Sequence, residues 1–207
     1  MILQWRRVAG YGALALVVAY GGYSHWKERP VRHGPGEIAP REPRQAAVEN
    51  VAPFSFRNYT ITPKAAFDIE ARVLAKKRYR FGRGADICPV DLALGWGPMS
   101  DETVLKHINI DQSARWYSWD TREFPIPRRR IETSSANMHI IPADAEVRRA
   151  ALSCRVGQLV HFRGYLVNVT GDDGSRQVTS LSRKDTGANS CEIVFVQSFR
   201  VVDPASP

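Results

Sequence analysis

One stretch near the carboxyl end decides the predicted fold, and it reads VGQLVHFRGYLV from Val156 to Val167. It is rich in the β-branched and aromatic residues that favour strands, and Gly164 interrupts them. A glycine inside a strand marks a bend or a bulge, because it has no side chain to pack and lets another backbone approach closely. The stretch therefore predicts a long strand, over Leu159 to Val169, that bends at Gly164.

Further strand signals lie on both sides of this stretch. Residues 171–174 read GDDG, which is typical of a tight hairpin turn, and residues 177–181 supply a return strand. Upstream, apolar and charged residues alternate strictly over residues 67–73, which is the period of a strand with one buried face. A last apolar strand is predicted over residues 192–202.

Two short helices are predicted between the strands. Ser100 or Asp101 is a suitable N-cap for the first helix, and Asp144 is a suitable N-cap for the second. Together these elements predict a mainly β domain of the α+β class, with about five to seven strands and two short helices.

The glycine-bent strand from Val156 to Val167 resembles those of small barrels of the oligonucleotide/oligosaccharide-binding (OB) type. This resemblance in pattern implies a small, strongly bent barrel. A β-sandwich is the alternative, because it is also built from short strands and frequent turns.

The amino end has the pattern of a membrane anchor. An uncharged run from Val8 to Tyr23 follows Arg6 and Arg7 and ends close to Trp26. Charged flanks with interfacial tryptophans predict a single-pass anchor over residues 1–26, with a cleaved signal peptide as the alternative. The short cationic N-terminus favours a cytoplasmic start, which predicts an inner-membrane protein with its domain in the periplasm.

A linker is predicted over residues 27–52, where prolines alternate with charged residues and large apolar side chains are scarce. Such a composition buries little surface and favours an extended chain. The globular, β-rich domain is then expected over residues 53–207, which is the length of one ordinary domain.

The composition restricts the classes of partner and cofactor. The net charge of +8 favours anionic partners, although a charged surface also serves solubility alone. The three cysteines are Cys88, Cys154 and Cys191, and their spacing fits neither zinc nor redox motifs, so neither metal nor cofactor is predicted. Cys154 and Cys191 are the candidate disulfide in an oxidising compartment, whereas in the cytoplasm all three would be small buried hydrophobes.

Candidate catalytic residues are few. His139 lies close in sequence to Ser134 and Ser135, and Asp91 lies in an apolar stretch where a carboxylate needs a partner such as Arg83 or Lys106. These four residues define a candidate Ser/His/Asp site for a hydrolase or transferase. The alternative is a structural histidine and a buried structural ion pair, and it makes an enzyme the less favoured class.

Aromatic residues interleaved with arginines are the candidate binding residues. Aromatic rings beside guanidinium groups suit stacking and contact with anionic polymers, although such rings more often belong to a core. The set comprises Trp96, Arg115, Trp116, Tyr117, Trp119, Arg128, Arg129 and Arg130. A separate basic run, Lys76, Lys77 and Arg78, is a candidate contact with the membrane surface.

Three functions remain open on the sequence alone. The leading hypothesis is a membrane-anchored binding or adaptor module of a bacterial-type cell envelope that docks a protein partner or an anionic polymer. The second hypothesis is an envelope hydrolase or transferase that uses the Ser/His/Asp site. The third is an OB-like domain that binds nucleic acid and faces the cytoplasm.

Overall fold

The computed structural model describes residues 28–82, 84–182 and 190–204, and they form a mainly β structure with three short α-helices. The predicted α+β class is thus confirmed. The strands are β1 (Arg44–Ala47), β2 (Phe54–Phe56), β3 (Tyr59–Arg78), β4 (Val90–Gly95), β5 (Asn109–Ser113), β6 (Trp116–Asp120), β7 (Ser135–Pro142), β8 (Leu159–Gly171), β9 (Arg176–Gln177) and β10 (Glu192–Val202). The helices are α1 (Glu102–Leu105), α2 (Arg128–Thr133) and α3 (Ala145–Ser153), and a 3-10 turn spans Gly97–Ser100.

Five strands close into a ring. β3 pairs antiparallel with both β4 and β8, β4 pairs with β7, and β10 joins β7 to β8. The β7–β10 pair is parallel, and the other pairs are antiparallel. The long β3 can pair with two neighbours because its register shifts between Pro63 and Ala65 and again between Val73 and Ala75. The continuous ring differs from the β-sandwich alternative, which would need two stacked sheets.

The main core follows from strand alternation. Phe67, Ile69, Ala71 and Val73 are almost fully buried, as the period-two pattern predicts. They share one apolar cluster with residues of β4, β7, β8 and β10 and with the buried face of α3. Each large apolar side chain in such a cluster contributes about 1.5–3 kcal/mol through removal from water.

The close approach of β8 to β10 depends on Gly164. A Cβ atom at this position would lie 1.9 Å from the carbonyl oxygen of Phe195 on β10. Gly164 also pairs with Phe67 of β3 on its other side, so β8 has no free edge at this point. Only glycine lets the backbones approach this closely, which explains the signal that the sequence carries at this position.

The segment predicted as a linker packs against the barrel along much of its length. β1 forms an antiparallel pair with β3, and the amide of Val31 donates to the carbonyl of Val156. The amide of Ala39 donates to Ser100 Oγ, and Ala39 is buried. Prolines keep this chain extended, and an extended backbone can add its hydrogen bonds to a sheet edge even where its side chains bury little.

The two predicted N-caps are present, and the structure adds a third helix. The Asp101 carboxylate accepts from the amide of Thr103, and the Asp144 carboxylate accepts from the amide of Val147. Helix α2 was not predicted because Pro127 precedes it and no side chain caps it.

The predicted membrane anchor is not carried forward. Its segment, residues 1–26, lies outside the described residues. Within the described part of the chain, no helix is both long enough and apolar enough to cross a bilayer. The described part of the chain therefore gives no support to a single-pass, signal-anchored membrane protein.

Replacement of Gly164 by alanine should destabilise the barrel. The added methyl group would clash with the β10 backbone, and we expect the free energy of unfolding to fall by about 3 kcal/mol in urea titrations. Gly34→Ala is the control, because open space surrounds Gly34 and the expected change is within about 0.5 kcal/mol. Equal stabilities of the two variants would contradict the role given to Gly164.

Candidate functional site

Strand register brings the polar residues of the site together. Asp91 on β4 lies directly opposite His139 on β7, and Ile193 on β10 lies beside His139 on the other side. Side chains alternate between the faces of a strand, so Asn137 shares the face of His139. Cys191 precedes Ile193 by two residues, and its sulfur lies 3.4 Å from the Nδ2 atom of Asn137. The site is therefore a product of the β4–β7–β10 register.

His139 lies between a carboxylate and a thiol. Its Nδ1 atom is 2.9 Å from Oδ1 of Asp91, a short contact in which the N–H direction departs from an ideal hydrogen bond. Burial lowers the pKa of His139, but interactions with Asp91 and then with Cys191 outweigh burial and raise the pKa to about 9. The imidazole is therefore positively charged at neutral pH.

Arg115 is the partner of Asp91, in place of the expected Arg83 or Lys106. Its Nη1 atom donates to Oδ1 of the fully buried Asp91 at 2.7 Å and to the carbonyl of Cys88 at 3.0 Å. The guanidinium lies 3.7 Å from the centre of the Tyr79 ring. Arg83 lies outside the described residues.

A hairpin turn aims Arg115 at the barrel. Ala114 and Arg115 connect β5 to β6 and have φ angles of 48° and 69°. Consecutive left-handed residues form the tight turns that match the twist of a hairpin, but they are costly outside glycine and asparagine. The amide of Arg115 donates to the hydroxyl of Tyr79, which helps to hold the turn against β3.

A metal ion is disfavoured at this site, although the spacing would suit one. Cys88, Asp91 and His139 bring one ligand atom each to within 4.8 Å of one another. Burial, followed by the charge of Asp91, raises the pKa of the Cys88 thiol well above its ordinary value, so a metal ion would have to displace the thiol proton in order to bind. The guanidinium of Arg115 already neutralises Asp91, and a cation would be repelled there.

An open groove of about 490 Å³ leads to the site. One wall is β6, the other contains α2, and Cys191 lies at the inner end beside Asn137. We call this feature the β6 groove. Aromatic side chains dominate its outer part, where Trp116 is 53% exposed and Phe124 is 51% exposed. The aromatic lining residues are Trp116, Tyr117, Trp119 and Phe124.

The predicted tryptophans have different environments. Trp116 lies on the surface, whereas Trp96 is 1% exposed and belongs to the main core, so Trp96 is corrected as a binding residue. Trp119 is half-buried and makes an edge contact with Phe124 at 6.2 Å. The guanidinium of Arg128 lies 5.9 Å from the centre of the Trp119 ring. The binding surface is thus smaller than the sequence suggested.

The predicted arginine cluster is largely neutralised. Arg115 is paired with Asp91, and Arg128 forms an ion pair of 2.9 Å with Glu132. Arg129 reaches the same carboxylate at 3.5 Å, while Arg130 is exposed. Surface pairs of this kind contribute about 0–1 kcal/mol, and they reduce the positive potential that would attract an anionic polymer.

The serines lie away from His139. Ser135 is four residues before His139 on the same extended strand, a separation of about 13 Å. Its hydroxyl donates to the carbonyl of Ile131 and accepts from the hydroxyl of Tyr117. Burial raises the pKa of Tyr117 to about 12, so this phenol stays a donor. Ser134 is one residue farther from His139 along the chain. Neither serine is therefore placed beside His139, as the predicted Ser/His/Asp site would require.

The candidate disulfide does not form, because all three cysteines are free. The Cys154 thiol donates to the carbonyl of Ala151 within the core, and burial raises its pKa to about 11. Cys191 instead lines the β6 groove. Because Cys191 was predicted to form a disulfide, it was not considered as a nucleophile. Its position at the start of an apolar strand is the one sequence feature that pointed to another role.

The three residues of the basic run also differ in their environments. The ammonium of Lys76 is half-buried and donates to the carbonyls of Leu152 and Cys154 at the end of α3, which corrects its role as a membrane contact. Cations are favourable at the carboxyl end of a helix. Lys77 and Arg78 are exposed.

The His139 environment predicts a stability that depends on pH. The folded protein holds this proton more tightly than the unfolded chain, so the stabilisation is complete below pH 6.5 and is lost as the pH rises through about 9. We expect the free energy of unfolding to fall by up to about 3 kcal/mol over this window. Urea titrations at several pH values should show this fall in the wild type, and His139→Gln should lack it. Parallel curves would contradict the assignment.

Comparison with known proteins adds no relative: no protein family, no curated protein and no solved structure matches the chain. Any function proposed for the β6 groove therefore rests on its geometry and chemistry.

Proposed function

We propose that this chain is a binding module built on an OB-type barrel, and that the β6 groove takes an extended segment of a partner protein. The observation that carries the proposal is the pairing of β6 with β5 alone among the described strands. Within the described residues, the opposite edge of β6 has no strand partner.

The connectivity of the ring supports the OB assignment. β3, β4 and β7 follow one another as antiparallel neighbours, and β8 returns to lie beside β3, which is a Greek-key order. OB barrels have five strands in this arrangement and use the face of their second and third strands for ligands. In this chain those strands are β4 and β7, which carry Asp91, Asn137 and His139.

The unpartnered strand supports a peptide ligand. All five residues of β6 line the groove, and among the described strands β6 pairs with β5 alone. An extended peptide can pair with such an edge and insert alternate side chains into neighbouring pockets. Trp116, Trp119 and Phe124 provide an apolar surface for those side chains, and aromatic residues are typical of interface centres.

The charge of the groove favours a protein over an anionic polymer. Its ionisable lining residues are Asp120, Glu132, Glu192 and Arg128. Arg128, the one cationic lining residue among those described, is already paired with Glu132, so the groove offers no excess of positive charge to hold a phosphate. Docking of a protein partner is the part of the sequence-based hypothesis that this chemistry supports, and nucleic-acid binding becomes an outcome to be tested.

Replacement of Trp116 by alanine should separate binding from folding. The expected result is at least about a tenfold loss of affinity with a change in stability within about 0.5 kcal/mol, because the ring is half-exposed. The probes are peptides selected against the full chain from a random display library, and affinity is measured by calorimetry.

Trp96→Ala is the matched control, and its buried ring should cost about 3–5 kcal/mol of stability. Unchanged peptide affinity in Trp116→Ala would contradict the assigned groove. Tight, salt-sensitive binding of a single-stranded oligonucleotide, with no peptide recovered, would favour the nucleic-acid hypothesis instead.

A further inference from the structure

We propose that the inner end of the β6 groove is an acyl-transfer site in which Cys191 is the nucleophile, His139 the base and Asp91 the group that orients the histidine. The proposal rests on the groove as a ligand site and gives its ligand a chemical class, a peptide segment with an ester, thioester or amide carbonyl. Three independent observations carry it.

The first observation is the different exposure of the three thiols. Cys88 and Cys154 are buried in apolar surroundings, where the neutral thiol is favoured. Cys191 is partly exposed and forms part of the groove wall. A reactive cysteine needs both access to its substrate and a neighbouring positive charge, and of the three cysteines only Cys191 has both.

The second observation is the order of contacts from carboxylate to thiol. Asp91 engages Nδ1 of His139, which leaves the other ring nitrogen available to the thiol. Asp91 is held in turn by Arg115, so the carboxylate is fixed before it orients the imidazole. A nucleophile, a base and an orienting third group are the components of a nucleophilic triad.

The third observation is the fixed amide of Asn137. Its Oδ1 atom accepts from Nε2 of Gln112 at 2.6 Å, and its Nδ2 atom donates to the carbonyl of Arg115 at 2.9 Å. These bonds turn the NH₂ group toward Sγ of Cys191, 3.4 Å away. Both N–H groups of this amide are thus engaged, one by a carbonyl and one by the sulfur, and the amide holds the nucleophile in a fixed place on the groove wall.

The proposed reaction proceeds in two balanced steps. The sulfur of Cys191 attacks the carbonyl carbon as the thiolate, beside the protonated His139, and a C–S bond forms. The carbon–oxygen, carbon–sulfur or carbon–nitrogen bond to the leaving group then breaks, and the leaving group takes the proton from His139. The neutral His139 next removes a proton from water, and the hydroxide attacks the thioester, which releases the acid and restores the thiolate and the protonated histidine. An amine or alcohol in place of water would complete a transfer.

The test measures alkylation of the native full chain by iodoacetamide at pH 6.5, with peptide mapping by mass spectrometry. We expect Cys191 to react about tenfold faster than free cysteine, whereas Cys88 and Cys154 stay unmodified as internal standards. His139→Gln should remove this advantage. His161→Gln is the matched control, because His161 also contacts a carboxylate, Asp68 at 3.0 Å, but lies outside the site.

A second measurement keeps the test valid if His139→Gln fails to fold. p-Nitrophenyl acetate should leave an acetyl group on Cys191 of the wild type and none on Cys191→Ser. Alkylation of Cys191 at the rate of free cysteine, or acetylation that Cys191→Ser leaves unchanged, would overturn the proposal. Both readouts use small probes that need no peptide, so their failure is distinct from a failure of peptide binding.

Discussion

The buried carboxylate of Asp91 is the constraint on which the rest of the site depends. A fully buried charge costs several kcal/mol unless it is paired and hydrogen-bonded, and Asp91 has no exposed surface. Arg115 and His139 supply the compensating charge from two different elements. The ion pairs therefore join β4, β7 and the β5–β6 hairpin into one unit.

The pairing of Asp91 also fixes the position of the β6 groove. Because Arg115 ends the turn that precedes β6, its contact with Asp91 fixes the strand that carries Trp116 and Trp119. The costly left-handed backbone at Ala114 and Arg115 persists because the ion pair and the bond to Tyr79 hold it. The proposed peptide binding and the proposed thiol chemistry would both depend on Asp91, because its carboxylate holds Arg115 and also orients His139.

The charge pattern fits the proposed acyl chemistry better than metal binding. One oxygen of Asp91 lies close to Arg115, His139 and the thiol of Cys88, so cations of the protein already occupy its surroundings. The outer groove carries carboxylates and aromatic rings. Such a gradient, from an apolar and mildly acidic mouth to a histidine–thiol pair at the inner end, suits a neutral carbonyl on a peptide better than a phosphate.

The sequence by itself determined the β-rich class, the alternation in β3, the bend at Gly164 and the caps at Asp101 and Asp144, because each depends on a period or a local backbone requirement. It also identified His139, Asp91 and Trp116 as residues of interest. Only the tertiary structure decided that Arg115 meets Asp91, that Cys191 joins His139 and that Trp96 is core. These contacts arise from the register of strands that are distant in the chain, and a one-residue shift would turn each side chain to the opposite face.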